Sequence, residues 1–335
     1  MVPTTKDPEL ERLGRAYEAY FDVADPRKIG EIRRDIFFFR KPFLEREKAY
    51  LQHKKTIGEL KPLYKDLVKA RNKYAQSKGP YRNFLHFALN DDGVPEKSFE
   101  KFLEQIDSLI NRINKNLPKP KNSGQFYSPL NMPDFIDEIS SKKYSLPEYV
   151  IRRLGEYSPE IGQMLPRIRF EDADKNHGFN EALFRPVTGT VVVRTWPSSD
   201  LQHAISLAHE VGHAVAYLRL IKEGIDPKDK PKYWHEKQAI RMELTFIGTL
   251  PQDLRNAAIG NILWQFTIAL FEVETYAKPN LNFDRVFAQS FNRCYKEAQQ
   301  KENPFYVVME PLLRRPCSAV TQGIVHTGEL SQVLN

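Results

Sequence analysis

The pentapeptide His209-Glu210-Val211-Gly212-His213 holds the residue types that hydrolytic metal chemistry needs, at the spacing it needs. It lies within an apolar stretch, residues 207–217, that reads as a helix. Positions i and i+4 of a helix stand one above the other. The imidazoles of His209 and His213 therefore point to one place, with the separation that two ligands of a single Zn²⁺ require. Glu210 is rotated by about 100° from His209. From that edge its carboxylate can reach a metal-bound water without ligating the metal, as a general base must. Two imidazoles and a carboxylate on an apolar helix are costly to bury unless something pairs them. The competing reading is a chance match in which both histidines are hydrogen-bonded core residues.

A catalytic zinc takes three protein ligands and keeps one position for water. Downstream of His213 the candidates are Glu223, Asp226, Asp229, His235, Glu236 and Glu243. The first three fall around the turn Gly224-Ile-Asp-Pro227, where turn chemistry suits them better. Glu236 and Glu243 are seven apart and share one face of the next helix. One could reach the metal while the other hydrogen-bonds a liganding imidazole and fixes its tautomer. A charged outer helix face is the alternative. His235 is rotated off that face and is the weaker substitute for Glu236.

These groups need elements to position them. Asp7-Pro8 reads as an N-cap with proline in the first turn, followed by Leu10, Leu13, Tyr17 and Phe21 at helical spacing. A second helical stretch starts near Ile29 and is kinked or divided by Pro42. A third covers about 56–78 and stops at a C-cap glycine, Gly79, followed by Pro80. A fourth covers about 96–116, residues 117–124 read as a linker, and short helices fill about 133–163. Residues 168–170, 182–184 and 189–195 read as strands, and Asp200 can cap the metal helix. Helices at about 232–249, 253–276 and 283–301 complete the chain. A strand run leading into such a helix is the layout in which an edge strand pairs with an extended peptide above a metal. The expected fold is therefore mainly α with a small β-sheet beside the metal helix. We expect one catalytic domain over 1–335, made of an N-terminal helical part (1–116) and a metal-site part (125–335).

Beyond the pentapeptide, the sequence resembles the thimet oligopeptidase and oligoendopeptidase F group of zinc metallopeptidases. In that group a strand precedes Thr-Leu-X-His-Glu-X-Gly-His; here Val191-Val-Val-Arg-Thr195 precedes Ile205-Ser-Leu-Ala-His-Glu-Val-Gly-His213. The group places a liganding glutamate about twenty-five residues after the motif and a second one seven later. By that resemblance Glu236 is the third ligand of one Zn²⁺ per chain and Glu243 supports it from behind. Arg71-Asn72 with Ala75, Gly79 and Tyr81, then Asn176-His177-Gly178-Phe179, and Leu270-Phe271-Glu272 resemble further segments of the group. The group also carries a His and a Tyr near its C-terminus that stabilise the substrate oxyanion. Here Tyr306 is the nominee for that role and His326 a weaker one. The residues after the motif, Ala214-Val215-Ala216, depart from the group's usual His or Ser. The chain is also shorter than typical members.

The totals are compatible with this reading. The 335 residues include 41% hydrophobic and 28% charged residues, and two cysteines provide no disulfide framework. The net charge of +7 is dispersed among interleaved acids, which argues for a solvated surface over a nucleic-acid partner. No apolar run suits a membrane span or a leader segment, so a cytoplasmic protein is expected.

The resulting expectation is hydrolysis of short peptides, with Glu210 taking a proton from a zinc-activated water and passing it to the leaving amine. The strand residues Val193, Arg194 and Thr195, with His177 in the loop before them, would bind the substrate. The main rival is a catalytically silent, zinc-containing peptide-binding protein. A basic nucleic-acid binder and a membrane-bound ATP-dependent zinc protease lack their accompanying motifs.

Overall fold

A computed structural model describes residues 7–24, 29, 32, 43–116, 145–172, 180–185, 190–195, 201–296, 300–309, 312–313 and 315–333. Among the described residues the helices that come first are α1 (Pro8–Val23), α2 (Phe43–Lys78), α3 (Phe84–Asp91), α4 (Glu96–Asn116), α5 (Leu146–Tyr157) and α6 (Pro159–Met164). Strands β1 (Ile168–Asp172), β2 (Glu181–Arg185) and β3 (Thr190–Thr195) follow. Helices α7 (Leu201–Lys222), α8 (Lys232–Thr249), α9 (Gln252–Ala277), α10 (Phe283–Cys294) and α11 (Ser318–Val333) complete the order. The architecture is mainly α with one small sheet, as expected.

The chain forms two compact units. Among the described residues, one takes those of Met1–Pro95 and Leu263–Gly323, and the other those of Glu96–Pro118, Leu130–Ile262 and Ile324–Asn335. Each unit thus draws on segments far apart in sequence, and α4 sorts with the metal motif rather than with the N-terminal helices.

In the first unit, Asp7 caps α1 by accepting the N–H groups of Glu9 and Leu10. Helix α2 opens at Phe43, well before the expected start at 56, and runs through Pro62. It buries a stripe of Ile57, Leu60, Tyr64, Leu67, Val68, Arg71 and Ala75. It ends at Lys78, but Gly79 is not among the glycines with positive φ, so the break there owes nothing to a left-handed cap. Arg71 is wholly buried and spends all five N–H groups on the Tyr17 and Tyr276 hydroxyls and the Leu312 and Leu313 carbonyls. Asn72 donates to the Tyr276 carbonyl and accepts from the Phe84 N–H. The segment that resembled a family motif is therefore a structural pin between distant parts of this unit. Helix α10 stops at Cys294, short of the expected 301.

In the second unit, a capping box between Ser145 and Glu148 starts α5. The sheet has the order β1-β3-β2, with β1 parallel and β2 antiparallel to the central β3. Val191, Val192 and Val193 are wholly buried, as suits a strand covered on both faces. Helix α7 buries residues all round its circumference, from Leu201 to Leu220. It ends in a turn where Gly224 takes φ +73° and the Ile225 N–H reaches the Leu220 carbonyl. Asp226 then caps the short turn Pro227–Asp229, which confirms Asp226 as a turn residue. Helix α8 packs closely on α7: a Cβ added at Gly212 would lie 2.6 Å from the Ala239 Cα and 2.8 Å from the Met242 Cβ. Only glycine allows that approach, and it lies between the two histidines in sequence. The expected cap Asp200, the linker at 117–124 and the break at Pro42 lie outside the described residues. No described helix is long and apolar enough to cross a membrane.

Candidate metal centre

Helix periodicity places His209 and His213 on one face of α7, and their ring centroids lie 4.9 Å apart at 82°. Across the α7–α8 contact, Glu236 directs its carboxylate between them. Its Oε2 lies 3.5 Å from the His209 Nε2 and its Oε1 lies 3.9 Å from the His213 Nε2. One turn pair further along α8, Glu243 sets its Oε2 3.1 Å from the His209 Nδ1. Its Oε1 lies 3.4 Å from the Nε2 of His326, a wholly buried residue of α11. The side chains of His209, His213 and Glu236 remain 12–13% accessible, so the cluster is enclosed but reachable.

The electrostatics follow from this crowding. Burial disfavours a charge on His209, yet the hydrogen bonds and charges of Glu236 and Glu243 outweigh it and raise its pKa well above the usual imidazole value. Burial, reinforced by the charge of His209, lowers His213 to about 3. Glu243 is opposed by burial too, but the His326 charge and the bond from His209 bring it down to about 2. Two carboxylates thus flank the two nitrogens of one imidazole, a negative field that suits a cation.

The donor set fits Zn²⁺. Ligands about 2.0–2.1 Å from a tetrahedral ion lie roughly 3.3 Å from one another, close to the observed nitrogen–oxygen separations. The carboxylate of Glu243 on Nδ1 selects the tautomer of His209 that leaves Nε2 free for a metal. The Nδ1 of His213 is buried and has no hydrogen-bond partner among the described residues, so its other nitrogen is the one available for function. The ligand atoms of His209, Glu210 and His213 all fall within 4.8 Å of one another.

Glu210 is held from the sheet. Its Oε2 accepts the Ala182 N–H at 2.8 Å. That bond fixes the polarity of β2. Ala182 stands opposite Val193 in the antiparallel register and turns its N–H outward, so Ala182 and Phe184 form non-hydrogen-bonded pairs with β3 and face away from it. The edge of the sheet nearest Glu210 is therefore β2.

Several expectations need correction. Val193, Arg194 and Thr195 belong to the central strand, whose backbone is paired on both sides and cannot bind a peptide. Val193 is core, Arg194 faces Glu171 and Glu181 across the sheet, and the Thr195 Oγ1 lies 3.0 Å from the His203 Nε2. Tyr306 is 2% exposed in the other unit, packed against Tyr64, Phe271, Phe283 and Phe287. It is a core tyrosine. His326 is buried behind Glu243 and is no oxyanion donor. His235 donates its Nε2–H to the Pro227 carbonyl at 2.8 Å, away from the ligand role. His177 lies outside the described residues. Two residues escaped the sequence reading, Ala182 and Tyr217. The ring of Tyr217 stacks 6.4 Å from that of His213, and its position four residues beyond His213 was a usable signal.

No family profile matches the chain, and no curated protein matches it in sequence. Solved structures do. PZ peptidase A, determined with an inhibitor, superposes with a TM-score of 0.57 at 15% identity over 98% of this chain and 66% of that one. Two chains provisionally named oligoendopeptidase F give 0.57 at 13% identity and, for the one from Bacillus anthracis str. Ames, 0.54 at 14%. They are covered over 66% and 59% of their lengths, and this chain over 98% and 91%. The chain shares their fold. It spans about two thirds or less of the length of each structure, so what it shares is an architecture and not a demonstrated activity.

Proposed function

We propose that this protein is a zinc-dependent peptidase acting on short peptides. The observation that carries the reading is the convergence of the His209 and His213 Nε2 atoms on the Glu236 carboxylate, with Glu210 beside them and tethered to a sheet edge. His209, His213 and Glu236 would hold the ion, and Glu243 would keep His209 in the required tautomer. When bound, the ion supplies Lewis acidity toward water and the substrate carbonyl.

The remaining chemistry belongs to the chain. Glu210 takes the proton of the attacking water and returns it to the departing amine. The Ala182 N–H holds one of its oxygens and so fixes the carboxylate in place. The outward Phe184 N–H and the Ala182 and Phe184 C=O groups of β2 offer main-chain hydrogen bonds to an extended peptide, which gives affinity with little side-chain selectivity. The fold shared with PZ peptidase A supports peptides as the substrate class.

The test is a quenched-peptide library assay on zinc-loaded protein, with metal content measured beside it. Cleavage with about one zinc per chain is expected, and Glu210→Gln should keep the metal while losing about 10²–10⁴-fold in rate. Peptide binding without cleavage would establish the silent-binder alternative instead. Stoichiometric metal with neither binding nor cleavage would reject the proposal.

A further inference from the structure

With Tyr306 in a core and His326 behind Glu243, neither residue nominated from the C-terminal segment can stabilise the oxygen of a carbonyl under attack. The requirement itself remains. A donor aimed at that oxygen is worth about 10²–10³-fold in turnover where it has been removed from other hydrolases.

Tyr217 meets the conditions for such a donor. It follows His213 by four residues, so helix geometry puts it on the same face of α7, one turn beyond the second imidazole. Its ring lies nearly parallel to that of His213, 20° between planes at 6.4 Å. On one side it meets Phe184 of the β2 edge at 6.3 Å, and on another His235 of α8 at 5.4 Å. The ring is thus fixed between the strand that would carry the substrate and the helix that carries Glu236. Those contacts restrain its rotamer, and a donor must be pre-set if it is to act in the transition state.

The hydroxyl is uncommitted. It has no hydrogen-bond partner among the described residues, yet it is not sealed away as a buried orphan. A phenol hydroxyl is an O–H donor. A half-buried phenol with a free donor beside a metal cluster has no structural task that would need the hydroxyl.

We propose that Tyr217 donates a hydrogen bond to the substrate carbonyl oxygen as that oxygen gains charge. This rests on the peptidase reading. The step is a hydrogen bond only. The phenol keeps its proton and no covalent bond to the tyrosine forms.

The test compares wild-type and Tyr217→Phe full-length protein, both zinc-loaded and with metal content verified, using two probes. One is a phosphinic tetrapeptide, whose tetrahedral anion mimics the charged oxygen; the other is a mercaptoacyl dipeptide, which engages the site through sulfur and lacks that oxygen. Tyr217→Phe should bind the phosphinic peptide about 10–100-fold more weakly and the thiol equally well. On peptide substrates kcat should fall about 10–1000-fold at nearly constant KM. Equal loss for both probes would make Tyr217 a pocket wall and overturn the proposal. So would unchanged phosphinate affinity, or failure of the wild type to bind it. Failure of the peptidase reading looks different: the probes still rank the two proteins, but neither cleaves any peptide.

Discussion

Glu243 meets His209 from behind, oxygen to Nδ1 at 3.1 Å, while its second oxygen faces the buried His326. A carboxylate in that position fixes both the orientation and the tautomer of the imidazole it touches. The pair links two helices, α7 and α8, and the approach of His326 from α11 adds a third. The arrangement predicts that Glu243→Gln lowers zinc affinity by about 10–100-fold without removing a ligand. Competition against a chromogenic chelator measures this. An affinity equal to wild type would mean that the first three residues orient themselves.

Gly212 separates two opposing expectations. In a helix interior, Gly→Ala ordinarily stabilises by about 0.5–1 kcal/mol. Here the new methyl would sit 2.6 Å from the Ala239 Cα, a backbone atom that cannot rotate aside. Overpacking of that kind destabilises by about 1–3 kcal/mol, and it wins over propensity. Gly212→Ala is therefore expected to lower the melting temperature of chelator-treated protein and to weaken metal binding, because α8 carries Glu236. A raised melting temperature would show that the two helices can part freely.

Much of this was legible in the sequence. The histidine pair, Glu210 and the Glu236/Glu243 spacing depend on helix periodicity, which short-range pattern reports well. The three strands were read at 168–170, 182–184 and 189–195, within two residues of their observed bounds. Their lateral order was not legible, because β1 pairs with β3 past the intervening β2, and nothing local records which strand becomes the edge. The roles of Val193, Arg194 and Thr195 were misread for that reason. Tyr306 was nominated by its place in a resembling segment, whereas its burial depends on Tyr64 and Phe271, hundreds of residues away or in another helix. His326 likewise acquired its neighbour Glu243 only through tertiary folding. Tyr217 was within reach, had the i+4 rule been carried one turn past His213.

The Tyr306 assignment has its own test. The residue sits inside an aromatic cluster with Asp284 near its hydroxyl. Tyr306→Phe should cost about 0.5–1.5 kcal/mol of stability. Peptide turnover should stay within about twofold of wild type, because a barrier change well below about 1.4 kcal/mol moves the rate by far less than tenfold. Denaturant unfolding and kcat/KM on the same preparations decide it. A turnover loss with no loss of stability would return Tyr306 to the chemistry.

The contacts of Glu243 with His209 and His326 make the metal-free protein sensitive to acid. Glu243 titrates at about 2 in the folded chain, against an ordinary glutamate value of 4.5. Burial works against this, and the charge of His326 with the hydrogen bond from His209 overcomes it. The folded state therefore holds its proton less tightly than the unfolded state does. By linkage, the stabilisation is fully present above pH 4.5 and is lost as pH falls from there toward 2. Other carboxylates titrate in the same window, so the informative quantity is a difference. Urea midpoints of chelator-treated wild type should fall more steeply between pH 6 and pH 3 than those of Glu243→Gln, which has no proton to gain at that site. Parallel pH dependences would mean that His209 and His326 do not hold Glu243 ionised in the folded protein.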